Sequence, residues 1–239
     1  MTDNDGARPV SYSIGDVHGE AARLARLHTL IFERHAERYG DRPLRLIHLG
    51  DYVDRGPDSA SVIEMLRGFV PRPGMSLITL AGNHEAMMLH ALTSASDQYR
   101  RSWLSNGGDR TLESYRRRGE TGVPQSHLDW IAALPSIYVD EPLRHIFVHA
   151  GLLPEEYPDE SEEVRLWTRA RSFFDVPSWK DTALDGWTVI HGHTPTHNGY
   201  PEDEVGAGRR INIDTGAVFG GRLTCAILAP GEDVRYLYA

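Results

Sequence analysis

Apolar positions along the chain follow two rhythms. Short unbroken apolar runs end five times in turns of Gly, Asp, Asn and His. They are SYSIGDVHG (Ser11–Gly19), LRLIHLGDYVDRG (Leu44–Gly56), SLITLAGNHE (Ser76–Glu85), HIFVHAG (His145–Gly151) and TVIHGHT (Thr188–Thr194). Runs of this length, bounded by turn residues, predict buried strands that each lead into a polar loop. Between the first three the period becomes helical. Leu24, Leu27 and Ile31 recur among charges from Glu20 to Arg38, and Gly40-Asp41-Arg42-Pro43 ends that helix. Val62, Ile63 and Leu66 share one face of a second helix from Ser59 to Phe69, and a third is predicted from about His84 through Met88. Strand alternating with helix is the βαβ pattern of a parallel sheet, so the expected class is α/β.

From about residue 93 to 134 no β-like run occurs. Trp103, Leu104, Leu112, Tyr115, Leu128, Trp130 and Ile131 are spaced as in helices, which predicts a helical insertion placed to shape substrate access. Short β-runs follow near Ser136–Val139, His145–His149 and Trp187–Ile190. Three more, Arg209–Ile213, Leu223–Leu228 and Val234–Leu237, are spaced like antiparallel strands. No linker, biased tract or regular repeat divides residues 1–239, so a single domain is expected.

Composition narrows the partners. With 25 basic and 34 acidic residues the net charge is -9, which argues against nucleic acid or an anionic membrane as a partner. An anionic substrate would need local positive charge. The single cysteine, Cys225, excludes an internal disulfide and a multi-cysteine zinc cage. MTDNDGARP lacks the features of a signal peptide, and no apolar stretch approaches the ~20 residues of a membrane span. A monomeric cytoplasmic enzyme is expected.

In α/β folds the loops at the C-terminal ends of the strands gather in one crevice. Gathered here, Asp16, His18, Asp51, Asn83, His149 and His191 or His193 would share a small volume. Asp16 and His18 are two apart, so an extended loop can point both the same way. Oxygen and nitrogen donors without thiolates suit Mn, Fe or Zn rather than Ca or a structural Zn. Six ligands are too few for two separate octahedra, so a bridging carboxylate and waters would have to complete a metal pair. Singly, each Asp or Asn reads as a turn former or helix cap. The metal reading rests on the set.

The ordered motifs GDVHG, GDYVDRG, GNHE, HAG and GHTP continue through Trp103–Gly108 (WLSNGG), Leu166–Arg169 (LWTR) and Ile213–Phe219 (IDTGAVF). Together they resemble the phosphoprotein phosphatase branch of the calcineurin-like metallophosphoesterases, and within it the small bacterial and bacteriophage-lambda-type serine/threonine phosphatases. The resemblance spans about Ser13 to Leu228. It implies two packed mixed β-sheets flanked by helices, with two divalent ions, manganese first and iron or zinc as alternatives. It also implies that Asp16 and His18 hold one ion, that Asp51 bridges, and that Asn83, His149 and His193 complete the other. Spacing alone leaves His191 equal to His193; the resemblance selects His193 and leaves His191 for packing or support. It makes His84 the general acid, oriented by Asp54, whose carboxylate is expected to favour the imidazolium. Arg55 and Arg169 match phosphate-gripping arginines, with Asn83 also near the substrate. The implied reaction is direct hydrolysis by a metal-bridging hydroxide, without a phosphoenzyme. The implied substrate is a phosphoprotein or phosphopeptide carrying phosphoserine, phosphothreonine or also phosphotyrosine.

Three rivals are weighed on residues. Cys225 lies inside LTCAILA with no phosphate-cradling loop after it, which excludes a covalent cysteine phosphatase. A symmetrical diadenosine tetraphosphate hydrolase would share the fold and metal motifs, but Asp54, Glu85, Asn-Gly-Gly and Trp-Thr-Arg lean toward the protein phosphatases. A non-catalytic metal-binding scaffold should have lost ligands or the acid, and this chain keeps them. His48 reads as a packed strand residue, whereas His28, His35, His90, His127, His145 and His197 are expected at the surface. Arg116, Arg117 and Arg118 read as a solvated helix face.

Overall fold

The computed structural model describes residues 8–239. Strand β1 (Val10–Ile14) leads to α1 (Ala21–Tyr39), β2 (Leu44–His48) to α2 (Ser59–Arg67), and β3 (Met75–Thr79) to α3 (Asn83–Thr93). The predicted insertion contains helices and no strand: α4 (Asp97–Trp103), a wide helical turn (Leu104–Gly108), α5 (Asp109–Arg117) and, after a loop over 118–124, α6 (Gln125–Ala132). Then come β4 (Ile137–Asp140), β5 (His145–Val148), α7 (Glu162–Trp167), α8 (Arg171–Phe174) and β6 (Thr188–His191). The chain closes through β7 (Glu202–Val205), β8 (Arg209–Asn212), β9 (Thr224–Leu228) and β10 (Arg235–Tyr238).

Two five-stranded mixed sheets result, ordered β10-β9-β1-β2-β3 and β4-β5-β6-β8-β7. The parallel strands β1, β2 and β3 form the centre and one edge of the first, and β5, β6 and β8 form the centre of the second. Side-chain alternation separates three apolar layers. Ile47, Leu49 and Leu80 meet Phe147, Ile190 and Ile211 between the sheets. Tyr12, Ile14 and Leu46 face Leu24, Leu27, Ile31, Val62 and Ile63 of α1 and α2. Ile146, Val148 and Val189 face Phe173, Val176 and Trp179 on the other outer side. Sheets sandwiched in this way bring the C-terminal ends of both parallel sets to a common edge.

Three expectations need correction. The closing strands are not one antiparallel group: β8 joins the second sheet parallel to β6, while β9 and β10 return antiparallel to the first. Strand β7 had no apolar signal because EDEV is an edge strand with three exposed residues, held antiparallel to β8. His28, His35 and His127 are buried rather than superficial. On α1, positions 24, 27, 28, 31 and 35 share the inward face. Each buried imidazole there has a partner: His28 Nε2 lies 2.9 Å from His48 Nε2, and His35 Nδ1 lies 3.1 Å from the Tyr12 hydroxyl. His127 Nδ1 lies 2.8 Å from the Tyr115 hydroxyl. His90 and His197 are exposed and His145 is half-buried. Arg116, Arg117 and Arg118 form the solvated face expected of them. Among the described residues, no helix is long and apolar enough to cross a membrane.

Candidate metal centre and active site

All five polar turns open at the same edge of the sandwich. Asp16, Asp51 and Asn83 follow β1, β2 and β3, while His149 and His193 follow β5 and β6. With His18, His84 and Asp54 they are at most 6% exposed. The turns are tight and strained. Among the described residues, five of the seven non-glycine positions at left-handed φ are His18 (42°), Asp51 (53°), Asp54 (73°), Arg55 (65°) and His193 (68°). Such backbone persists where the surroundings over-determine it, which is characteristic of functional sites. Gly192 shows how closely the chains approach: a Cβ there would lie 2.1 Å from Asp16 Oδ1.

Two groups of metal-capable atoms share Asp51. His18, Asp51 and His84 form one, and Asp51, His149 and His193 the other, each within 4.8 Å. Asn83 Oδ1 lies 2.9 Å from both His149 Nε2 and His193 Nδ1. Asp16 accepts the His193 backbone N–H at 3.1 Å on both oxygens. The six expected ligands are therefore brought together. His191 is not among them; it turns to the outer layer, edge-on to Phe173 at 5.0 Å.

The donor chemistry fits cations. His18 Nδ1 donates to Val53 O at 2.8 Å, which leaves a lone pair on Nε2, 3.4 Å from Asp51 Oδ2. His149 Nδ1 donates to Leu49 O at 2.9 Å, and its Nε2 lone pair faces Asp51 Oδ1 at 3.3 Å. His193 Nε2 is buried without a hydrogen-bond partner. Acceptors thus face acceptors, which a cation between them would reconcile. Burial, then the neighbouring Asp214 and Asp51, pushes Asp16 well above the carboxylate range. Burial and Glu85 do the same to Asp51. Burial pushes His149 down to about 3, holding it in the neutral form that ligates metal. Arg55 Nη1 stands 2.7 Å from His18 Nε2, so positive charge is already drawn to this spot.

The expected acid and its partner also meet, with His84 Nδ1 2.7 Å from Asp54 Oδ2. Their charge state departs from expectation. Burial, then Arg55, pushes His84 down to about 3, and burial lifts Asp54 to about 7. Desolvation outweighs the carboxylate's pull on the imidazole. Arg55 is half-buried, its backbone N–H donates to Gly107 O at 3.1 Å, and its guanidinium lies 5.6 Å from the Phe219 ring. Arg169 is exposed and donates to Thr194 Oγ1 at 3.2 Å and His193 O at 3.3 Å, which ties it to the rim.

Four residues escaped a site reading. Trp103 Nε1 donates to Asp54 at 2.9 Å, and Thr111 Oγ1 donates to the same carboxylate at 2.7 Å. Both come from the helical insertion, where Trp103 reads as a helical position within WLSNGG and Thr111 carries no signal of its own. Glu85 accepts four backbone N–H groups, from Gly82, Asp51, Tyr52 and Val53. Asp214 is buried and lifted to about 6, chiefly by desolvation, beside Asp16. The signal for Asp214 was present: INI-DTG is a sixth apolar run ending in an acidic turn.

The model of the calcineurin-like phosphoesterase family matches residues 12–226, and the chain belongs to that family. It is a metallophosphoesterase, and the family uses a dinuclear divalent metal centre. Serine/threonine-protein phosphatase 1 of Salmonella typhimurium is 29% identical over 218 residues, covering 89% of each chain. An asymmetrical bis(5'-nucleosyl)-tetraphosphatase, PrpE of Halalkalibacterium halodurans, is 28% identical over 229 residues, covering 88% of this chain and 87% of its own. The fold likeness extends to a protein serine/threonine phosphatase from Saccharomyces cerevisiae, with a TM-score of 0.62 at 15% identity, over 99% of this chain and 82% of that one.

Proposed function

We propose that the chain acts as one catalytic domain, a manganese-dependent phosphatase of phosphoserine and phosphothreonine in proteins, with phosphotyrosine also accepted. The ligands proposed are Asp16 and His18 for one ion, Asp51 as the bridge, and Asn83, His149 and His193 for the other. Bound there, the two ions would acidify a water and neutralise charge on the transferring phosphoryl group. Arg55 and Arg169 hold its equatorial oxygens, each guanidinium offering paired N–H donors. Asn83 reaches the phosphate from the start of α3. His84 gives its Nε2 proton to the departing oxygen while Nδ1 takes up the proton that the raised Asp54 carboxyl holds up to about pH 7.

The observation that carries this reading is the 2.7 Å His84–Asp54 pair, further held by Trp103 and Thr111. A serine or threonine alkoxide leaves poorly without a proton, so a built acid serves a phosphomonoester. Cleavage of a phosphoanhydride expels a phosphate oxygen, a far better leaving group. The tetraphosphatase reading stays as the second one, favoured by similarity to PrpE at nearly the same coverage, although PrpE is an asymmetrical enzyme and the motifs suggest the symmetrical type. Phosphate release from a phosphothreonine peptide and nucleotide release from diadenosine tetraphosphate (two ADP, or ATP with AMP), compared by kcat/KM with manganese, separate them. A preference for the peptide is expected; a preference for the dinucleotide would replace the first reading with the second. His84→Asn should cut turnover of an alkyl phosphate roughly 10²–10⁴-fold, and that of an aryl ester with a good leaving group much less. Equal losses on both would remove the acid role.

A further inference from the structure

His193 sits at the centre of a three-residue turn closed by Thr194 N–H on Gly192 O at 2.8 Å, with φ 68°. Turns of this form are rare and strained, so something must hold the ring where it is. Strand β8 supplies the grip from its outer face, through Arg210 and Asn212, which alternate to the same side. Asn212 Nδ2 donates to Thr194 O at 2.8 Å. Arg210 Nη1 lies 3.0 Å from His191 Nε2, and His191 Nδ1 lies 3.0 Å from Gly192 O.

Hydrogen-bond chemistry fixes the direction of this chain. A guanidinium can only donate, so His191 Nε2 must accept. The ring proton is then on Nδ1, where it donates to the Gly192 carbonyl. That carbonyl therefore receives two donors, one from each side of the strained turn. Gly192 N–H in turn donates to His149 O at 2.8 Å, joining the loops of two candidate ligands.

Arg210 is buried and only partly paired. It is 2% exposed, its Nε has no partner, and it stacks 4.7 Å over the Phe174 ring. Its Nη2 reaches Glu204 at 3.1 Å and Glu202 at 3.6 Å, both on the edge strand β7. A buried guanidinium carries a desolvation penalty that an apolar side chain of the same length would avoid. An orienting role gives it a reason to be there.

We propose that Arg210 and His191 are a positioning pair that sets the His193 ring, and so the affinity of the ion that His193 holds. This rests on reading His193 as a metal ligand. His191 is then neither a ligand nor mere packing. Hydrogen-bonded groups behind metal ligands are worth roughly 10- to 100-fold in metal affinity.

The test uses the full chain, with Mn(II) as the probe, titrated by calorimetry and followed by electron paramagnetic resonance for the exchange-coupled pair. Wild type should bind two ions and give the coupled spectrum. Arg210→Met should keep one ion at wild-type affinity, weaken the other roughly 10- to 100-fold, and lose the coupled spectrum at limiting metal. Arg210→Lys, which can still donate to His191 Nε2, should recover part of it. His191→Phe, which suits the Phe173 and Phe174 surroundings but lacks the Nδ1 donor, should repeat the Arg210→Met result and serves in its place if that variant does not fold. Unchanged affinity for both ions in folded Arg210→Met or His191→Phe overturns the proposal, as does equal weakening of both. A wild type that binds no second ion overturns the ligand assignment of His193 itself, and this pair with it.

Discussion

Asp54 is gripped from three sides, by His84 Nδ1 at 2.7 Å, Trp103 Nε1 at 2.9 Å and Thr111 Oγ1 at 2.7 Å. A carboxylate held this firmly can fix one orientation of the imidazole, which is what an acid aimed at a leaving oxygen requires. Trp103→Phe keeps most of the buried ring and removes one donor. Turnover of a phosphothreonine peptide should fall about tenfold, the equivalent of one hydrogen bond of ~1.4 kcal/mol, with KM within about twofold. Steady-state kinetics with the peptide and an aryl ester would check this; an unchanged kcat on the peptide would contradict it. Asp54 and His84 could be paired from their motifs. Trp103 and Thr111 could not, because they lie 49 and 57 residues from Asp54 and their spacing reports only the helices that carry them.

At the level of elements, the start of α3 carries the heaviest polar demand. Glu85 takes Gly82 N–H and Asp51 N–H at 2.8 Å on one oxygen, and Tyr52 N–H at 2.8 Å with Val53 N–H at 3.2 Å on the other. One carboxylate therefore caps the helix and pins the turn after β2 that presents Asp51. Asp51 Oδ1 returns the contact by accepting His84 N–H at 3.0 Å. Glu85→Gln replaces one acceptor oxygen by a donor amide against buried N–H groups. The expected loss is about 2–4 kcal/mol, seen as a lower urea midpoint at unchanged slope. A wild-type midpoint would mean that the turn holds itself. GNHE in the sequence advertises a helix start; that the same Glu reaches back to the preceding loop depends on β2 and β3 being parallel neighbours.

At the scale of the fold, burial of titratable groups makes stability depend on pH and metal. His28 is pushed down to about 4 by burial, and His48 well below its usual value by burial and His28. Both are neutral in the folded chain, while an unfolded histidine takes a proton near pH 6.5. The unfolded state therefore binds more protons as the pH falls below about 6.5, for His28 down to about 4. The stability these groups contribute is full above that window and is lost as the pH falls through it, by up to about 1.4 kcal/mol per pH unit for each. His28→Gln should flatten the fall in urea midpoint between pH 7 and 4.5 relative to wild type, and parallel curves would contradict this. The buried carboxylates around the candidate metal centre act with the opposite sign. Burial raises Asp16, Asp51 and Asp214, so without metal their contribution is lost as the pH rises. Manganese should consequently raise the melting temperature at pH 7.5, increasingly with concentration, as for any ligand bound only by the folded state. A melting temperature indifferent to manganese would argue against the centre.

Much of this protein was legible in its residues because the information is local. Short unbroken apolar runs and helices with period 3.6 declare themselves within ten or twenty positions, and the turn chemistry that ends them is fixed by a few adjacent residues. Asp16, His18, Asp51, Asn83, His84, His149 and His193 could be nominated in this way before any fold was known. The parallel course of β8, the polar edge strand β7 and the burial of His28, His35 and His127 could not. Nor could the hold of Trp103 and Thr111 on Asp54, the four amides on Glu85 or the Arg210–His191 chain. Almost all of these join parts of the chain that are far apart in sequence, and which groups meet is decided by how the elements pack. The same packing sends His191 and His193 to different places. Their spacing is equivalent, but alternation along β6 and the turn beyond it send one imidazole to the outer layer and the other into the cluster around Asp51.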